Sequence, residues 1–159
     1  MSTYPDIIPI RDADFGFPFW PWSKGPLWRL EGAYGFTVNK DGFHQEYVIP
    51  DGYEFDGQSV PAIFHGPPLN YGPAGVGMRA GLCHDFLCDL YQGGSDWLRE
   101  ALPSLPPAPP PAIIHAVYRD IQLADRQRKI KADISWWAVD KFGPGGKLRP
   151  KFLDTRRQP

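Results

Sequence analysis

His84-Asp85 lies within Arg79-Ala-Gly-Leu-Cys-His-Asp-Phe-Leu-Cys-Asp-Leu-Tyr91 and places a base beside a carboxylate. An imidazole can take a proton from water or a nucleophile near neutral pH, while a carboxylate can hold a cation. On a helix turning about 100° per residue, Val76, Ala80, Cys83, Leu87 and Leu90 share one narrow apolar face. His84 then falls at the edge of that face near Tyr91, and Asp85 points roughly the other way. The expectation is a pocket lined by His84 and Tyr91, with Asp85 turned towards a loop or an ion.

Asp120 is the second residue with chemical meaning. It falls within the stripe Ile113, Val117, Ile121 and Ala124 of a later helical stretch. A carboxylate facing a core must find a partner or protonate, and His84 on a facing helix is the economical partner. Such a pair would fix the imidazole tautomer and leave the other nitrogen free; it would equally serve to tie two helices together. Asp56 and Ser59, in Asp56-Gly-Gln-Ser-Val-Pro61, could bring a carboxylate and a hydroxyl to the pocket mouth, although the same residues are ordinary turn formers.

Other chemistries have little support. Cys83 and Cys88 diverge on one helix and read as free thiols, and they lack zinc-ligand spacing. His44, His65 and His115 are scattered. There is no glycine-rich phosphate loop before a helix, no serine elbow and no metalloprotease helix. The formal net charge of -1 provides no overall basic field for nucleic acid. Only the tail, with Lys147, Arg149, Lys151, Arg156 and Arg157 against Asp154, could touch phosphate weakly. No apolar run approaches the ~20 residues that span a bilayer.

The elements that must position these residues follow from pattern. At 159 residues and 42% hydrophobic content the chain suits one core. Residues 1–27 alternate aromatics with prolines and read as an extended arm. From Trp28 the period becomes two. Tyr34, Phe36 and Val38 share a face, Asn39-Lys-Asp-Gly42 turns the chain, and Phe43, Gln45, Tyr47 and Ile49 return, which predicts a hairpin. Tyr53-Glu-Phe55 reads as a short strand. Helices are expected near 74–91, near 96–102 with Ser95 as N-cap, and from Pro111 towards Phe142 with a break near 129–131. Pro103 to Pro111 holds six prolines in nine residues and reads as an extended insertion. The fold class is α+β, a small antiparallel sheet in the N-terminal half packed with two or three helices in the C-terminal half. Its domain is 28–143, followed by a basic Gly/Pro tail, 144–159.

Three segments together resemble a known family: Tyr47-Val-Ile-Pro-Asp-Gly-Tyr-Glu-Phe-Asp-Gly-Gln-Ser-Val-Pro61, Arg79-Ala-Gly-Leu-Cys-His-Asp-Phe-Leu87 and Trp136-Trp-Ala-Val-Asp-Lys-Phe-Gly143. Their order and chemistry are similar to domain-of-unknown-function family 1353, small proteins largely of bacteriophages and prophages. Cys88 stands where the family's helix has Tyr. Asp120, Asp125 and Asp96 could each occupy the family's "AD" step, and the angular argument favours Asp120. The resemblance implies a phage origin. With that origin, the free thiols predict synthesis in the host cytoplasm, and the aromatic arm and basic tail predict assembly into the virion, with other phage structural proteins or a second copy as partners.

A helix-borne His-Asp pair opposite a further Asp also resembles secreted phospholipases A2. That likeness implies His84 as base, Asp120 as orienting group and Asp85, helped by Asp56, as a calcium ligand, although the calcium loop and disulfides of those enzymes are missing. Calcium needs about 6 to 8 oxygens. Two functions are therefore expected: a virion-associated or morphogenesis component docking through its terminal arms, or a calcium-dependent hydrolase acting on envelope lipid or ester.

Overall fold

A computed structural model describes residues 4–11, 27–55 and 77–142. Five strands precede four helices: β1 (Asp6–Arg11), β2 (Leu27–Glu31), β3 (Tyr34–Lys40), β4 (Phe43–Ile49), β5 (Glu54–Phe55), α1 (Met78–Tyr91), α2 (Asp96–Ala101), α3 (Pro111–Ala124) and α4 (Lys129–Phe142). This is the α+β arrangement expected from the pattern.

The hairpin forms where the period-two alternation and turn residues place it. Asp41 and Gly42 both have positive φ, 51° and 80°, as a two-residue turn matched to strand twist requires. Lys40 pairs with Phe43, and the register runs on to Tyr34 opposite Ile49. Tyr34, Val38, Tyr47 and Ile49 are consequently buried. A second antiparallel sheet has the order β1-β2-β5. Its outer strand lies in the segment read as an extended arm: residues 6–11 pair with β2, Asp6 opposite Glu31 and Ile7 opposite Leu30. The apolar residues of β1 find a sheet neighbour within the chain. The remainder of the aromatic stretch, 12–26, and the tail beyond 142 lie outside the described residues.

The core joins Leu30, Tyr47, Ile49, Tyr53 and Phe55 of the sheet side to Leu82, Phe86 and Leu87 of α1, with Ile113, Ile114 and Val117 of α3. Phe86 is its hub, meeting Phe36, Tyr47 and Tyr53 edge-on at 5.7–6.3 Å between centroids. Edge-to-face contacts of this kind add to the area the rings bury.

α1 is not the helix with one apolar stripe that the wheel suggests. Ala80, Leu82, Cys83, Phe86 and Leu87 are buried on several sides, because the sheets cover one flank and α3 another. Its C-terminal turn is held by Asp89, whose carboxylate accepts from Ser95 N at 2.8 Å and Ser95 Oγ at 2.9 Å. Ser95 Oγ in turn accepts from Leu98 N and caps α2 as expected.

The last two helices separate at 125–128, slightly before the expected break, where Arg126 takes a left-handed φ of 64°. Asp125 fixes that corner by accepting from Arg79 Nε and Nη2 at 3.1 and 2.5 Å. The proline-rich insertion packs on the domain. Leu102, Leu105 and Ala108 lie against the core, and Tyr47 Oη donates to the Pro107 carbonyl at 2.6 Å.

Candidate functional site

α1 brings His84 to its interface with α3, which carries His115, Tyr118 and Gln122 on one face at spacings of three and four residues. The His84 ring lies 5.6 Å from that of His115, tilted by 34°, and 5.0 Å from that of Tyr118, tilted by 54°. His84 is only 3% exposed. Asp85 Oδ1 stands 3.5 Å from His84 Nδ1 at the more open side of the helix. One turn on, Cys88 Sγ is 3.8 and 3.6 Å from the two ring nitrogens. Near-equal distances place the sulfur against the ring rather than in line with one N–H.

α4 adds the second half of the cluster. Asp140 Oδ1 is 3.6 Å from His115 Nδ1, too long for a good hydrogen bond, and its carboxylate favours the charged ring. Burial first and then the neighbouring His84 push the His115 pKa down to about 4, with Asp140 offsetting only part of their effect. Asp140 is itself held below the ordinary carboxylate range, first by Lys141, which donates to it at 2.6 Å. Among the described residues, neither nitrogen of His115 and neither amide atom of fully buried Gln122 has a hydrogen-bond partner. Unpaired polar atoms in an interior are costly, and such positions often mark a site with a task beyond packing.

Asp120 does not join this cluster. Its carboxylate is about half exposed and pairs with Lys40 of β3 at 2.5 Å. The buried face of α3 is centred between Ile114 and Tyr118, so Asp120 sits just outside its edge. The other two candidates are also engaged elsewhere, Asp125 with Arg79 and Asp96 with Arg99 at 2.5 Å. Among the described residues, the carboxylates that pair with the histidines are Asp85 with His84 and Asp140 with His115.

Tyr91 is exposed at the end of α1, seven residues beyond His84, or about 10 Å along the axis at ~1.5 Å per residue. It does not share an interior with His84. A shallow cavity of about 240 Å³ opens at the opposite end of α1, between Tyr4, Ile7, Met78, Arg79 and Asp125. There the Tyr4 ring covers the Arg79 guanidinium at 5.2 Å. Asp56 and Ser59 lie outside the described residues.

Among the described residues, the groups placed around His84 are a second imidazole, a phenol, a thiol and one carboxylate. That set does not fit calcium, which takes hard oxygen ligands in larger number. Among the described residues no group of three or more His, Cys, Asp or Glu side chains is placed to hold a metal ion. Cys83, fully buried, has its thiol pKa pushed up by burial and is not a poised nucleophile. Sequence reasoning missed His115, Tyr118, Gln122 and Asp140. The spacing of the first three on one helix face was the available signal, hidden because each taken alone is an ordinary core residue.

Among the described residues no helix is long and apolar enough to cross a membrane. No curated protein and no solved structure matches the chain. The family model described as a protein of unknown function, DUF1353, matches residues 28–139, from the first residues of β2 to the last turns of α4. With more than half of its length matched, and with both the hairpin and the histidine helix inside that match, the chain belongs to the DUF1353 family.

Proposed function

We propose that the protein is a bacteriophage-encoded, virion-associated or morphogenesis component that works by docking onto neighbouring subunits. The observation that carries this reading is the outer face of α4. Ile130 and Trp137, with Ile134 between them, follow a spacing of four and three residues, and Trp136 lies beside them. Ile130, Trp136 and Trp137 are 67%, 38% and 43% exposed. Large apolar side chains gathered on one helix are a feature of interaction surfaces. The near-complete burial of His84 supports the same reading, because a substrate would have to displace packed groups to reach it.

The test is quantitative mass spectrometry of purified particles from the phage or induced prophage that encodes the chain. A fixed copy number is expected, reduced by Ile130→Ser together with Trp137→Ser. Absence from particles and from assembly intermediates, with normal particle yield when the gene is deleted, would overturn the proposal.

The buried imidazole pair favours a second reading, a hydrolase centred on His84. With Asp120 turned away, Asp85 would orient His84 through Nδ1, which leaves Asp85 poorly placed to hold calcium as well. This reading requires release of fatty acid from phospholipid vesicles that is lost in His84→Ala. It is excluded if purified protein shows no such release with or without calcium.

A further inference from the structure

We infer that the protein self-associates as a twofold dimer, in which the basic corner before α4 of each copy seats on the outward face of β1 and β2 of the other. The inference deepens the docking reading, since it names a second copy as the neighbour, and it rests on that reading. Its basis is a surface with two halves of opposite charge, each holding exposed isoleucine.

The basic half begins where α3 ends. Arg126 and Arg128 are exposed, and Lys129, Ile130 and Lys131 follow on the first turn of α4. Asp133 serves Lys129 and Arg119, so among the described residues Arg126 and Arg128 have no carboxylate partner. The N-terminal end of α4 adds its own partial positive charge.

The acidic half follows from strand alternation. Ile7 and Leu30 turn to the core, which leaves Asp6, Ile8, Arg29 and Glu31 outward. Ile8 is 36% exposed, and Ile10, at the register shift, 39%. Asp6 stands directly opposite Glu31. Like charges so placed repel, and the neighbouring cation, Arg29, is taken by Glu54 at 2.7 Å. A cationic surface laid over Asp6 and Glu31 turns that repulsion into attraction.

The halves adjoin within one copy. Tyr4, Pro5 and Ile7 share the walls of one cavity with Asp125, so the start of β1 lies beside the corner. Yet among the described residues no ion pair joins Asp6 or Glu31 to Arg126 or Arg128. A patch with adjoining basic and acidic halves is complementary to itself across a twofold axis, where every contact is made twice. Pairing along the edge of β1 is the weaker alternative, because Pro9 has no N–H to give and the register shift between Pro9 and Arg11 interrupts the edge. An anionic lipid surface suits the corner but is repelled by Asp6 and Glu31 beside it.

The experiment is sedimentation of the full-length protein over a range of concentration and salt. A monomer–dimer equilibrium is expected, shifting to monomer as salt shortens the screening length to ~3 Å at about 1 M. Arg126→Glu with Arg128→Glu, or Asp6→Lys with Glu31→Lys, should each weaken the dimer about tenfold or more, since like charges then face each other. An equimolar mixture of the two reversed variants should dimerise again, because each presents the complement of the other. Circular dichroism checks that both fold. A protein monomeric at every concentration, a dimer insensitive to both reversals, or a mixture that stays monomeric overturns the inference. So does flotation of the monomer with phosphatidylglycerol vesicles that Arg126→Glu/Arg128→Glu abolishes, which would give the corner to lipid. Particle incorporation separates the dimer from the broader reading. A monomeric protein present in particles at fixed copy number leaves docking on other proteins intact and removes the dimer. Absence from particles overturns the docking reading whatever sedimentation shows.

Discussion

His115 lies against His84 across the α1–α3 interface, 5.6 Å between ring centroids, and neither of its nitrogens is hydrogen-bonded among the described residues. Two imidazoles so placed resist charging together, which gives the interface a dependence on pH.

Folding stability should fall as the pH drops from neutrality. The His115 pKa is about 4 in the fold against an ordinary 6.5, so the unfolded chain takes up the proton first. Above pH 6.5 both states are neutral and nothing is lost. Between 6.5 and 4 stability declines, and below 4 both states are protonated and this contribution levels off. The loss amounts to about 3 kcal/mol at most, from ~1.4 kcal/mol per pKa unit. Urea unfolding at pH 7, 5.5 and 4 checks it, and His115→Gln should flatten the decline. An equally steep decline in that variant would assign the effect to other groups.

Asp120→Asn should leave the NMR titration of His84 unchanged and cost less than about 1 kcal/mol, as expected for a partly exposed pair with Lys40. Asp140→Asn should instead lower the titration point of His115 further, because the carboxylate favours the protonated ring. A His84 shift in the Asp120 variant would restore a link that the geometry does not contain.

Tyr47→Phe removes the donor to the Pro107 carbonyl and should destabilise the protein by about 1 kcal/mol. Burial raises the Tyr47 pKa to about 12, so the bond persists well into alkaline conditions. Hydrogen exchange at Ser104, Leu105 and Ala108 should accelerate in the variant more than exchange in α1. Uniform acceleration across the domain would mean that the proline-rich insertion is not a separate opening unit.

Arg79→Met should cost about 3 kcal/mol or more, since it leaves the Asp125 carboxylate nearly buried without its guanidinium. Adding Asp125→Leu should recover part of that loss. A double-mutant cycle by chemical denaturation measures the coupling, and an additive result would show the pair to be energetically independent.

The hairpin, the Ser95 cap and the helix start at Pro111 were readable because each depends on a few adjacent residues. Asp41-Gly42 can adopt positive φ, a serine can cap its own helix, and a proline at the first helical position loses no bond. The family motifs were readable for a similar reason, as fixed strings in fixed order. Asp120 was not readable from the chain alone. A helical wheel places it only about 20° from Ile113, and a difference that small is decided by where the neighbouring helix and strand end. Lys40, eighty residues away in sequence, takes the carboxylate. The same holds for α1, whose burial on several sides is set by sheet and helix together, and for the histidine cluster, whose members come from α1, α3 and α4. Local sequence set the period and the turns. Only the packing of separate elements decided which side chains share an interior, because that depends on distances between segments that no single segment encodes.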